Sequence, residues 1–136
     1  CEFNGFKGEL ISMAMVSPNG SYWYQVVEVP NICEPWVSQN VVPFLDKHPI
    51  KYDKFKELVF NHLKNLQSEH SNIVVYADWP EDFIHLLNCL YETDGKQKDL
   101  FFKMNYIKSG DLVSNKPHNA LSDAIALMKW HQSLGD

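Results

Sequence analysis

Residues 72–91 read NIVVYADWPEDFIHLLNCLY, and this stretch decides the fold. Its first six residues, 72–77, form a short continuous apolar run, the pattern of a central strand buried on both faces. From residue 78 onward the pattern becomes helical. Asp78 and Glu81 fit a D-x-x-E capping box, with Asp78 as the N-cap and Pro80 in the first turn, where its missing N–H is harmless. A strand feeding directly into a helix is half of a β-α-β unit. Residues 100–107 (LFFKMNYI) supply the second strand, after a turn at Asp94-Gly95-Lys96.

Working outward, residues 52–67 (YDKFKELVFNHLKNLQ) place Phe55, Leu58, Val59, Leu63 and Leu66 at helical spacing. Residues 35–45 (PWVSQNVVPFL) read as a short helix broken near Pro43. Residues 9–16 (ELISMAMV) and 21–29 (SYWYQVVEV) are apolar, β-rich runs joined by Ser17-Pro18-Asn19-Gly20, which together predict a β-hairpin. Cys1-Glu2-Phe3 reads as the tail of a truncated first strand. At the other end, Pro117 precedes a helix over 118–134 whose Leu121, Ala124, Ile125 and Met128 make one apolar stripe. An antiparallel meander followed by β-α-β units gives an α/β fold: a mixed sheet with helices on both faces.

The bulk numbers narrow the function classes. With 136 residues, 45% apolar and 21% charged, the chain suits a single domain over 1–136. No apolar run approaches the roughly eighteen residues that a membrane span needs. Cys1, Cys33 and Cys89 form neither a CxxC pair nor a zinc pattern, and they read as the reduced thiols of a cytoplasmic protein. The net charge is −5, and the basic side chains are all lysine. This argues against gripping long nucleic acid through a broad basic face. It is compatible with an enzyme that holds only a strand end, where bound cations neutralise phosphate. The opening Cys1-Glu2-Phe3-Asn4 has neither an initiator Met nor a signal peptide, so the chain reads as starting inside a longer gene product.

Three acids lie where such a sheet can gather them: Glu2 on the first strand, Asp82 early in the helix after residues 72–77, and Asp123 early in the last helix. Pairing of the 72–77 strand beside the first strand would bring all three to one edge. Two unit charges about 4 Å apart repel by roughly 4 kcal/mol at an effective dielectric near 20, so a cluster of this kind needs protons or cations. Oxygen-only ligands select hard ions, chiefly Mg²⁺ or Mn²⁺. Two such ions about 3.5–4 Å apart suit in-line attack on a phosphodiester. His118 falls just before the last helix, where an imidazole can take the proton of an attacking water.

The segment His118-Asn119-Ala120-Leu121-Ser122-Asp123-Ala124 resembles the H-x-A-x-x-D-A third motif of the DEDDh 3′→5′ exonucleases, a superfamily with the ribonuclease H-like fold. Residues 75–86 (VYADWPEDFIHL) resemble its second motif, with Asp82 on the metal-binding position and Asp78 four residues earlier. Glu2-Phe3 looks like the end of the first motif, D-x-E-F, whose Asp would fall just before Cys1. The nearest subgroup is a set of small bacterial and phage 3′→5′ exoribonucleases, and the likeness includes residues 37–45 (VSQNVVPFL).

The resemblance implies a ribonuclease H-like mixed five-stranded sheet with its first strand truncated. It implies two Mg²⁺ (or Mn²⁺) held by Glu2, Asp82 and Asp123 with the absent Asp, and His118 as general base. Phe3 and Asn4 would border the terminal nucleotide. Trp79 either stacks on a base or packs at its helix start. The implied partner is an RNA 3′ end, single-stranded or overhanging, with DNA as the alternative substrate and a homodimer by analogy. The competing class is a ribonuclease H-like binding or regulatory module with impaired catalysis. His85 and Cys89, spaced i, i+4, lack a third ligand, and Tyr22, Trp23 and Tyr24 read as hairpin packing.

Overall fold

Ser17-Pro18-Asn19-Gly20 folds the chain back as expected: the Gly20 N–H reaches the Ser17 carbonyl at 2.9 Å and the Ser17 N–H reaches Ser21 O at 2.8 Å. The structure is a computed structural model that describes residues 1–28, 32–92, 94–109 and 112–134. The strands flanking this turn are β2 (Leu10–Val16) and β3 (Tyr22–Val26), antiparallel from Ser12↔Val26 to Val16↔Tyr22. Val29, the last residue of the expected second strand, lies outside the described residues. β1 (Glu2–Phe3) adds to the other edge of β2, with Glu2 opposite Ser12 and an irregular register before Phe3.

The chain forms two compact units, one of Cys1–Lys51 with Ser109–Asp136 and the other of Tyr52–Lys108. In the first, the three-stranded sheet β1-β2-β3 is joined by α1 (Pro35–Asn40), a single 3-10 turn at Val42–Phe44, and α4 (Ala120–Ser133). A break near Pro43 was expected; α1 ends at Asn40, and Pro43 lies within the 3-10 turn that follows. Side chains alternate across a strand, and β2 uses both of its faces. Ile11 packs on Val37 and Val41 of the α1 region, while Ala14 joins Tyr24, Val26 and Ala120 of α4. The expected stripe of Leu121, Ala124, Ile125 and Met128 is only partly buried; the buried residues of α4 are Ala120 and Ala126. Small side chains let the helix lie close to the sheet.

The second unit holds α2 (Tyr52–Glu69), β4 (Val74–Ala77), α3 (Pro80–Asn88) and β5 (Lys103–Tyr106). β4 and β5 pair in parallel from Val74↔Lys103 to Ala77↔Tyr106, so the β-α-β unit is present. The buried face of α2 is Phe55, Val59 and Leu63, part of the expected stripe. The Tyr52 hydroxyl lies 3.8 Å from the Cys89 sulfur, just beyond α3.

Two local expectations change. β4 is not buried on both faces: Val74 is 40% and Tyr76 42% exposed, against 7% for Ala77. An apolar run specifies a strand but not which of its faces is covered. The N-cap of α3 is Trp79, in extended conformation and without a side-chain cap bond, instead of Asp78. Pro80 is the cause, because a proline forces the residue before it out of the helical region and itself fits the first helical position.

The architecture is therefore mixed α/β, and among the described residues it has four α-helices and strands divided between a three-stranded and a two-stranded sheet. No described helix is long and apolar enough to cross a membrane. Among the described residues, Cys1, Cys33 and Cys89 form no disulfide.

Candidate metal centre

Glu2 enters the site through strand register. Cross-strand partners project to the same side of a sheet, so Glu2, Ser12 and Val26 share one face, and Val26 packs against Ala120 of α4. The turn after β1 is clamped by Asn4. Its backbone N–H donates to Glu9 O at 2.8 Å. Its amide donates to the Glu9 carboxylate at 3.0 Å and to Ile32 O at 3.2 Å, and accepts from the Glu34 N–H at 2.9 Å.

His118 and Asp123 are set by the start of α4. Asn119 is the N-cap, its side-chain oxygen accepting from the Ser122 N–H at 3.1 Å. This satisfies one of the free N–H groups of the first turn. Asn119 is almost wholly buried, and its NH₂ donates to Phe44 O at 3.0 Å, with the Tyr24 hydroxyl and the Asp46 carboxylate each at 3.4 Å. Lys116 bonds Asp46 at 3.1 Å. Burial pulls the Asp46 carboxyl upward, but hydrogen bonds from Lys116 and Tyr24 outweigh it and leave the group below its usual range. With Asn119 anchored in this way, His118 takes a left-handed backbone, φ 67°, which is uncommon outside glycine. Its N–H donates to Asp123 Oδ2 at 3.1 Å. Its ring meets the Trp36 ring edge-on, with centroids 4.9 Å apart and an interplanar angle of 81°.

The outcome is a cluster of mixed chemistry. One ligand atom from each of Glu2, His118 and Asp123 lies within 4.8 Å of the others, and all three residues are partly buried. Two carboxylates beside an imidazole form a donor set that suits a divalent cation, and such an ion would relieve their mutual repulsion.

Of the residues expected from sequence, the structure brings Glu2, His118 and Asp123 together. Asp82 is carried by the second unit, in the first turn of α3. Burial raises its carboxyl pKa, and the nearby Asp78 carboxylate acts in the same direction. Trp79 caps the same helix and is 56% exposed. Phe3 lies on β1, partly buried, and the Asn4 amide is engaged within the protein. Two residues of the site were not singled out from sequence. Trp36 sits in a helix that looked like scaffold, and Asn119 is an unspecified position of its motif; the capping preference of Asn ahead of a helix was its one available signal. No family model, curated protein or solved structure matches the chain.

Proposed function

We propose that this chain is a metal-dependent 3′→5′ exonuclease of the DEDDh type, acting on the 3′ end of RNA in preference to DNA. The observation that carries the reading is the convergence of Glu2, His118 and Asp123 from opposite ends of the sequence into one cluster. In this reading the fold is of the ribonuclease H-like five-stranded type, and Asp82 joins the ligand set. Glu2, Asp82 and Asp123 would hold paired Mg²⁺ or Mn²⁺, which supplies charge neutralisation at the phosphodiester. His118 accepts a proton from the attacking water, whose oxygen bonds to phosphorus as the link to the neighbouring 3′-oxygen breaks. A nucleoside 5′-monophosphate leaves. Trp36, 53% exposed beside His118, offers an aromatic face to a terminal base. Phe3 and Trp79 are further candidates for substrate contact.

The test uses 3′-labelled single-stranded RNA and DNA with Mg²⁺, with Mn²⁺ and with EDTA. The expected result is labelled mononucleotide only when a divalent ion is present, released faster from RNA. Release that persists in EDTA, or none from either strand, overturns the proposal. His118→Ala should lower kcat by about 10²–10⁴-fold, the usual contribution of a general base.

A further inference from the structure

The donor set that the structure gathers is not made of oxygen alone, and this bears on which ion it prefers. Mg²⁺ takes oxygen ligands and keeps much of its water, so an imidazole adds little to its binding. Imidazole nitrogen suits zinc and its transition-metal neighbours. The geometry points to His118 as a direct ligand: in the substrate-free protein, Glu2, Asp123 and His118 form a mixed oxygen–nitrogen site for Zn²⁺.

Three features support this beyond the composition of the cluster. The spacing is close to that of a bound set. Donors about 2.1 Å from one zinc ion sit about 3–3.5 Å from each other, and here they lie within 4.8 Å, a gap that rotation of the Glu2 side chain can close. The Asp123 carboxylate is oriented, since the His118 N–H holds Oδ2 and Oδ1 remains for an ion. The His118 ring is steadied by the edge contact with Trp36, so little rotamer freedom is lost on ligation.

A consequence follows for the exonuclease reading, on which this part alone rests. A nitrogen lone pair bound to Zn²⁺ cannot accept a proton from water. Mg²⁺ held by the carboxylates leaves that lone pair available. The two ions therefore compete for the same residues with opposite effects: Mg²⁺ supports turnover and Zn²⁺ inhibits it.

The experiment uses the whole chain labelled with ¹⁵N-histidine, titrated separately with Zn²⁺ and Mg²⁺ and followed by long-range ¹H–¹⁵N spectra. Zn²⁺ should move one ring nitrogen of one histidine, a signal that His118→Ala removes, and Mg²⁺ should leave it in place. In calorimetry, His118→Ala should weaken Zn²⁺ binding at least about tenfold, the lower range for disturbing a metal-bound histidine, with Mg²⁺ binding within about twofold. Unchanged Zn²⁺ affinity, or Zn²⁺ binding without movement of the His118 nitrogen, overturns the site. If the variant does not fold, the spectra of the unsubstituted protein decide. Zn²⁺ ligation by His118 in a protein that releases no nucleotide would sink the exonuclease and keep the ion site. Mg²⁺-dependent release that Zn²⁺ leaves untouched, with the His118 nitrogen unmoved, would do the reverse.

Discussion

Asn119 and Ser12 are the buried polar residues among the described residues of the first unit, and they behave oppositely. The two amide hydrogens of Asn119 serve three acceptors, of which the 3.0 Å bond to Phe44 O is the strongest, while its oxygen caps α4. Asn119→Ala removes the cap, worth about 1 kcal/mol, and leaves buried partners unsatisfied at roughly 1–3 kcal/mol. Urea denaturation should show a loss of about 2–4 kcal/mol. Asn119→Asp restores the acceptor but not the donor, and sets a carboxylate beside Asp46, so it should not rescue. A loss under about 1 kcal/mol would show that the amide is not the anchor described. The Ser12 hydroxyl, by contrast, is buried with no hydrogen-bond partner among the described residues. Ser12→Ala should raise stability by about 1 kcal/mol by removing that desolvation cost; a decrease on the same assay would mean the hydroxyl is bonded in solution.

Among the elements, the turn between β1 and β2 governs where Glu2 lies. Gly5 has φ +74°, and a Cβ there would meet the Glu34 carboxylate; at Gly8 a Cβ would overlap the backbone carbonyl of Asn4. A flexible carboxylate can swing aside, but backbone cannot. Gly5→Ala should therefore cost about 1–2 kcal/mol, mainly for its left-handed backbone, and Gly8→Ala should cost more. Equal losses in parallel denaturation curves would contradict this ranking. The helix starts show the same local logic. Pro80 fixes the start of α3 by restricting Trp79, and Asn119 fixes the start of α4 by its side chain. The D-x-x-E pattern at Asp78 was legible, but it competed with a proline rule that proved stronger.

For the whole molecule, alkaline pH is the sensitive variable. Burial pushes Tyr24 in the first unit from 10.0 up to about 12, and the Asp46 charge adds to this. In the second unit, burial pushes Cys89 from 9.0 up to about 11 and raises Tyr52 further still. Each acid keeps its proton more firmly when folded. Stability is thus fully present below the ordinary value and declines as pH climbs through the folded one. Urea midpoints should be level near pH 8 and fall from pH 9.0 toward about 11, first through Cys89 and then through Tyr24; a flat profile would contradict the burial of these groups. The net charge of −5 and the all-lysine basic set act at the same scale. Without divalent ions, a fluorescent single strand should show no anisotropy change at micromolar protein, because few phosphates are neutralised. Tight binding in EDTA would mean that a basic surface, and not a metal centre, holds the strand.

The sequence by itself determined the elements: the 17–20 turn, the 52–67 helix found as Tyr52–Glu69, the β-α-β order, and a histidine placed just before α4. These depend on periodicity, turn residues and caps, which act over a few neighbouring positions. Only the tertiary structure decided that Trp36 meets His118, that Asn119 is buried and bonded to Phe44 and Tyr24, that Val74 and Tyr76 stay exposed, and that Glu2 lies in one cluster with Asp123. Each of those facts depends on strand register and on which helix covers which face of a sheet. Contacts between residues far apart in the chain set both, and no local pattern encodes them.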